Sequence, residues 1–263
     1  MNGFGYVSFD STAIGFGAYY VAVPTNTYYG NLNHHVYIPF IQKTVSTYTG
    51  HWEEAFSDNF ERETLGSQWA ATNGGVSEGD PSYSSHYWGI SQCRATTSGG
   101  RSLWVVGGGG TTTLDCGVTY ESSGKVNSMI TYGPIDLTGA TSAYMKFTLW
   151  LNTQPYRLWN PVYGMYVGDG LIFSANTYSE WMSFPWNPGD VMGSTYGWKD
   201  MILNLADLDG SHRVEGNLLN KNNVYIYFGF SSDGSEVGLY PEGVYMDDIL
   251  IKKCIGGTCP LDW

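Results

Sequence analysis

Charge is the first thing this chain lacks: only 14% of its 263 residues are Asp, Glu, Lys or Arg. In residues 1–50 the shortage is extreme, with Asp10 and Lys43 alone against eleven Tyr and Phe. Low charge with 16% aromatics excludes a disordered chain, which needs the opposite balance. Basic residues are the scarcer sign, 12 against 24 acidic ones, and the resulting −12 repels phosphate backbones. Nucleic acid is therefore excluded as a partner. Long apolar runs are also missing, so no helical membrane insertion is expected. Residues 1–30 have no basic n-region and no unbroken apolar h-region. A leader is expected to have been removed already, or the numbering to start at a mature or cloned boundary.

Helical periodicity and catalytic motifs are missing too. The clearest helix-like window, residues 203–209, is too short and Asp-rich to be more than a turn. No nucleophile elbow exists, since Gly89-Ile-Ser-Gln-Cys93 ends in the wrong residue. The glycine run at 107–110 has no following Lys-Ser/Thr, which excludes a phosphate loop. Glu180 and Glu236 could converge as a glycosidase pair, but their spacing does not mark them as one. No enzyme activity is expected.

Strand signals fill the chain instead. Ala143-Tyr-Met-Lys-Phe-Thr-Leu-Trp-Leu151 alternates, with Tyr144, Lys146, Thr148 and Trp150 on one face and Met145, Phe147, Leu149 and Leu151 on the other. Asn223-Val-Tyr-Ile-Tyr-Phe-Gly-Phe230 and Val244-Tyr-Met-Asp-Asp-Ile-Leu-Ile251 are two further strands. Clusters such as Trp186-Asn-Pro-Gly-Asp190 and Ser232-Asp-Gly-Ser235 read as turns. Short strands with Gly-rich turns predict an all-β protein, a jelly-roll β-sandwich over residues 51–263. Residues 1–50 form a separate, extended, apolar N-terminal arm. It holds strand-competent pieces without a sheet of their own, and Pro24 and Pro39 limit how centrally they can pair.

Four cysteines fall in two local groups. The Gly pair in Cys254-Ile-Gly-Gly-Thr-Cys259 permits the tight turn a disulfide needs, and Cys93 and Cys116 flank a Gly-rich stretch. Free thiols or zinc compete, although CxxC pairs and suitably spaced His are missing. Disulfides are the favoured reading and place the protein outside the cell.

From Phe56-Ser-Asp-Asn-Phe-Glu61 onward a familiar order appears: Trp69, Trp88-Gly89, Ser98-Gly-Gly-Arg-Ser-Leu-Trp104, and Ser128-Met-Ile-Thr-Tyr-Gly-Pro-Ile-Asp-Leu137. Gly197-Trp198 and Glu242-Gly-Val-Tyr-Met-Asp-Asp-Ile249 complete it. This order resembles the MAM-like, concanavalin-type jelly rolls of immune-inhibitor-A-like secreted proteins and other bacterial surface proteins. The peptidase of that family carries HExxH. Here His34 and His35 are adjacent and His51-Trp-Glu-Glu54 lacks its second His, so proteolysis does not carry over.

The resemblance implies that the first and last strands lie side by side, where carboxylates often hold a structural Ca²⁺. Asp58, Glu61, Asp247 and Asp248 are the expected metal residues. Two acids in a core-forming strand are costly without a cation, although in a regular strand Asp247 and Asp248 would face opposite ways. A solvated acidic edge strand is the alternative.

Trp159, Trp181, Phe184 and Trp186 lie near turns and could form a glycan platform, or simply pack loops. Tyr19, Val21, Val23, Val36, Ile38 and Phe40 are the expected assembly residues of the arm. They would donate a strand to a neighbouring copy and so build a filament, unless the arm folds back onto its own sandwich. The expected protein is thus a secreted, cell-surface, non-catalytic structural or adhesion protein that self-associates. The alternative is a monomeric carbohydrate-binding or adhesion module.

Overall fold

The computed structural model describes residues 48–73, 82–109, 114–122, 124–154, 169–177, 192–208, 216–234 and 242–260, plus the backbone of four short strands. The chain divides into two units, Met1–Val45 and Ser46–Trp263. In the first, β1 (Phe4–Gly5) pairs antiparallel with β2 (Val23–Pro24). Val23 thus lies in a strand, while Tyr19, Val21, Val36, Ile38 and Phe40 fall outside the described residues.

The second unit is all-β among its described residues. In chain order it contains β3 (His51–Asp58), β4 (Trp69–Thr72), β5 (His86–Ser91), β6 (Ser102–Gly109), β7 (Asn127–Ile135) and β8 (Ala140–Asn152). Then follow β9 (Leu158–Asn160), β10 (Met165–Val167), β11 (Gly170–Asn176), β12 (Lys199–Asn204), β13 (Val224–Ser231) and β14 (Gly243–Ile255). A larger antiparallel sheet runs β12-β8-β14-β6-β5, with β3 also on β14, and a smaller one runs β11-β13-β7-β4. Strands β9 and β10 pair separately.

Alternation along β8 builds the sandwich. Ala143, Met145, Phe147, Leu149 and Leu151 are buried, and the residues between them are half-buried on the outer face. Across the sandwich, the Phe147 ring meets Phe173 of β11 and Phe228 of β13 edge-on, at 5.2 and 5.3 Å. These contacts lock the two sheets together.

β14 is the organising strand. It pairs with β8 along its whole length, with β6 at Tyr245 and Met246, and with β3 from Ile249 to Ile255. The first and last strands of the sandwich therefore do lie side by side. Its alternation breaks at Asp248, which adopts φ +50° where the register with β8 shifts between Asp247 and Leu250. One extra residue bulges out there.

Both cysteine pairs are bonded. Cys93 and Cys116 lie 5.1 Å apart at Cα and Cys254 and Cys259 5.9 Å, leaving no free thiol among the described residues. Such bonds persist in an oxidising compartment. Among the described residues no helix is long and apolar enough to cross a membrane.

Candidate functional site

The four carboxylates expected to share a metal do not gather into one ligand set. Asp58 pairs in register with Ile249, an inward residue of β14, so its carboxylate lies at the seam between the sheets. There the Arg62 guanidinium donates to both its oxygens at 2.6 Å, and Trp69 Nε1 donates at 2.7 Å. Glu61 accepts from the backbone N–H groups of Gly100 and Arg101, which hold its carboxyl below the usual range.

Asp247 and Asp248 meet at Thr96, whose single hydroxyl lies within hydrogen-bond reach of both, at 3.0 and 2.8 Å. The expectation that they face apart is corrected by the bulge. Asp248 sits in the left-handed region, which turns its carboxylate to the same side as that of Asp247.

Burial pushes the Asp247 carboxyl up to about 6, against the Thr96 N–H that lowers it and with the Asp248 charge adding to the rise. A raised acid in the folded state contributes stability below its ordinary value of 3.8, and that contribution is lost as pH rises through about 6. Asp247→Asn does not titrate. The melting temperature of the natural chain minus that of this variant should therefore be larger at pH 4 than at pH 7, in EGTA throughout. A difference constant across that range would refute the assignment.

Next to these acids an open cleft of about 760 Å³ crosses the outer face of the larger sheet. Cross-strand register sets its floor, with Asp200 of β12 opposite Thr148 of β8, and Lys146 of β8 opposite Leu250 of β14. Ser57 of β3 completes the second row. Arg62, Thr96 and Trp198 also line the cleft. The polar groups are tied down: Lys146 pairs with Asp200 at 2.8 Å, and Thr148 donates to the same carboxylate at 3.2 Å. The Lys146 bond holds the Asp200 carboxyl below the ordinary range. A hydrolytic acid needs the reverse, a carboxyl kept protonated near neutrality.

Trp198 Nε1 donates to the Ala95 carbonyl at 3.1 Å, and its ring meets Trp150 edge-on at 6.0 Å. Two residues upstream, Tyr196 is 94% exposed at φ +53°, the most exposed large hydrophobic side chain of the described residues. A neighbouring aromatic row, Trp104, Tyr245 and Trp150, shares one face of the sheet by register. It is not an open platform. The Arg94 guanidinium lies 3.6 Å over the Trp150 ring and pairs with Glu242, and Trp104 and Tyr245 are buried.

Of the aromatics proposed from sequence as a glycan platform, Trp159 lies in β9 opposite Tyr166, while Trp181, Phe184 and Trp186 fall outside the described residues. So do Glu180 and Glu236. Among the described residues, the three acids that converge are Glu121, Asp169 and Asp233, all within 4.8 Å by one ligand oxygen each. Nothing in their sequence spacing marks them as a group. The available signal was a pair of Asp-Gly dipeptides, Asp169-Gly170 and Asp233-Gly234, each bordering a strand.

No family model and no curated protein sequence matches the chain, so the likeness to MAM-like domains remains one of motif order. Among solved structures, the K1 cleaved adhesin domain of Lys-gingipain from Porphyromonas gingivalis W83 superposes with a TM-score of 0.41 at 14% identity, over 77% of this chain and 98% of that one. The CBM22-1 xylan-binding domain from Paenibacillus barcinonensis gives 0.39 at 10% identity, over 81% and 100%. The family 11 carbohydrate-binding module from Clostridium thermocellum gives 0.34 at 14%, over 80% and 98%. All three scores lie below 0.5. The fold itself stands on strand register and core contacts.

Proposed function

We propose that the protein is an extracellular, non-catalytic module that binds a neutral glycan across the outer face of its larger sheet. The observation that carries this reading is the cleft, whose donors and acceptors are held in place by protein partners and whose wall is an indole. Fixed polar groups beside an aromatic surface suit a ligand with a hydroxyl-rich edge and an apolar ring face. Two cations, Arg62 and Lys146, stand against three carboxylates, Asp58, Asp200 and Asp248. With a chain charge of −12, that balance disfavours uronate-rich or sulfated glycans.

Affinity electrophoresis of the full chain in gels containing xylan, mannan or β-glucan tests the reading. At least one polysaccharide should retard the chain, and Trp198→Ala should weaken that retardation at least about tenfold. Tyr196→Ala should weaken it as well without disturbing the fold, because its side chain is exposed. No retardation by any neutral polysaccharide, or retardation of both variants equal to that of the natural chain, sinks the proposal.

A second reading concerns residues 1–50 as a strand donor to a neighbouring copy at the cell surface. It is supported by the make-up of the two sandwich sheets, whose described strands all come from residue 51 onward. Light scattering over a hundredfold concentration range should then show growing oligomers or filaments. A single 29.0 kDa species at every concentration would eliminate it.

A further inference from the structure

Glu121 lies in the turn between β6 and β7, Asp169 directly before β11, and Asp233 two residues after β13. The β11/β13 register, with Gly170 opposite Ser231, brings the two aspartates to one end of the smaller sheet. Glu121 and Asp169 are almost wholly buried, at 4% and 1% exposure. Gly234 N–H donates to Glu121 Oε1 at 2.7 Å, Asp233 N–H donates to Asp169 Oδ1 at 3.1 Å, and the Tyr120 hydroxyl donates to Asp169 Oδ2.

The other oxygen of Glu121, Oε2, is buried and accepts no hydrogen bond. None of the ion pairs among the described residues reaches Glu121. Three carboxylates this close repel one another, and a buried acceptor without a donor adds to the cost. The neutral Gly234 N–H orients the Glu121 carboxylate without cancelling its charge.

We propose that Glu121, Asp169 and Asp233 bind a calcium ion that ties the β6–β7 turn to the end of the smaller sheet. The donor set is oxygen alone, with no His or Cys, which selects a hard cation over zinc or copper. Carboxylates from separate segments, able to bind through one or two oxygens, suit the adaptable shell of Ca²⁺ better than the strict octahedron of Mg²⁺. Tyr120 acts behind the ion as a positioning residue. Its hydroxyl holds Asp169 and its ring meets Phe230 edge-on at 5.6 Å, which couples the site to the core. The site shares no residue with the glycan cleft.

The test is a calcium titration of the EGTA-stripped full chain, followed by its melting temperature. Calcium should raise the melting temperature by several degrees, and equimolar magnesium by less. Glu121→Gln should weaken the apparent calcium affinity at least about tenfold, whereas Asp247→Asn should leave the calcium response in place. No response to calcium, or a response kept in Glu121→Gln and lost in Asp247→Asn, overturns the proposal. Should Glu121→Gln fail to fold, crystals of the natural chain soaked in terbium chloride decide. An anomalous peak between the three carboxylates supports the site, and a peak only elsewhere, or none, overturns it.

Discussion

Phe147→Ala should destabilise the sandwich by about 3–5 kcal/mol, the range for deleting a fully buried aromatic ring. Phe147 is wholly buried in the middle of β8, and its ring is the contact through which the larger sheet meets Phe173 and Phe228 of the smaller one. Neither neighbour can follow the receding side chain, because each is fixed in a paired strand of the opposite sheet. The cavity should therefore stay open. Urea denaturation should show a lower midpoint with an unchanged slope, since the same surface is exposed on unfolding. Phe147→Leu, which keeps most of the volume, should cost about 1–1.5 kcal/mol. A loss below about 1 kcal/mol for the alanine variant would mean that the two sheets do not meet at this ring.

Arg62→Ala should cost about 2–3 kcal/mol, less than a wholly buried pair because the arginine side chain remains 35% exposed. Its partner is the sensitive half. The Asp58 side chain is 7% exposed and keeps only the Trp69 indole and the Phe60 N–H once the guanidinium has gone. Most of the loss is the cost of leaving that carboxylate without its cation. Adding Asp58→Asn to Arg62→Ala should therefore recover part of the stability, giving a coupling energy of at least about 1 kcal/mol in a double-mutant cycle. Additive losses would show that the bidentate pair contributes nothing beyond its separate members.

The strands were legible where a strand has one wet face and one dry face. Tyr144 to Leu151 alternates in sequence and alternates in burial, because the outer face of β8 keeps Lys146 and Thr148 in the cleft while Met145 and Phe147 face the core. Asp247 and Asp248 were misread for the converse reason. A two-residue period assumes a regular strand, and one residue at positive φ cancels that assumption without leaving a mark in composition. The cleft was invisible for another reason. Asp58, Lys146, Trp198 and Asp200 belong to separate parts of the chain and become neighbours only through the register of β12, β8, β14 and β3. Glu121, Asp169 and Asp233 are likewise joined by topology, and each alone reads as an ordinary turn residue.

The position of β14 at the centre of the larger sheet also governs when that sheet can exist. Its neighbours β3, β6 and β8 all precede it, and β6 finds its β14 partners more than a hundred residues downstream. While the chain is being made, β8 has no β14 to pair with until residues 243–255 have emerged. Contacts of such long sequence separation form slowly, because a large loop must close before any pairing rewards it. The larger sheet of such a chain cannot close until β14 arrives, whereas the smaller sheet, built wholly from strands that precede β14, does not wait for it.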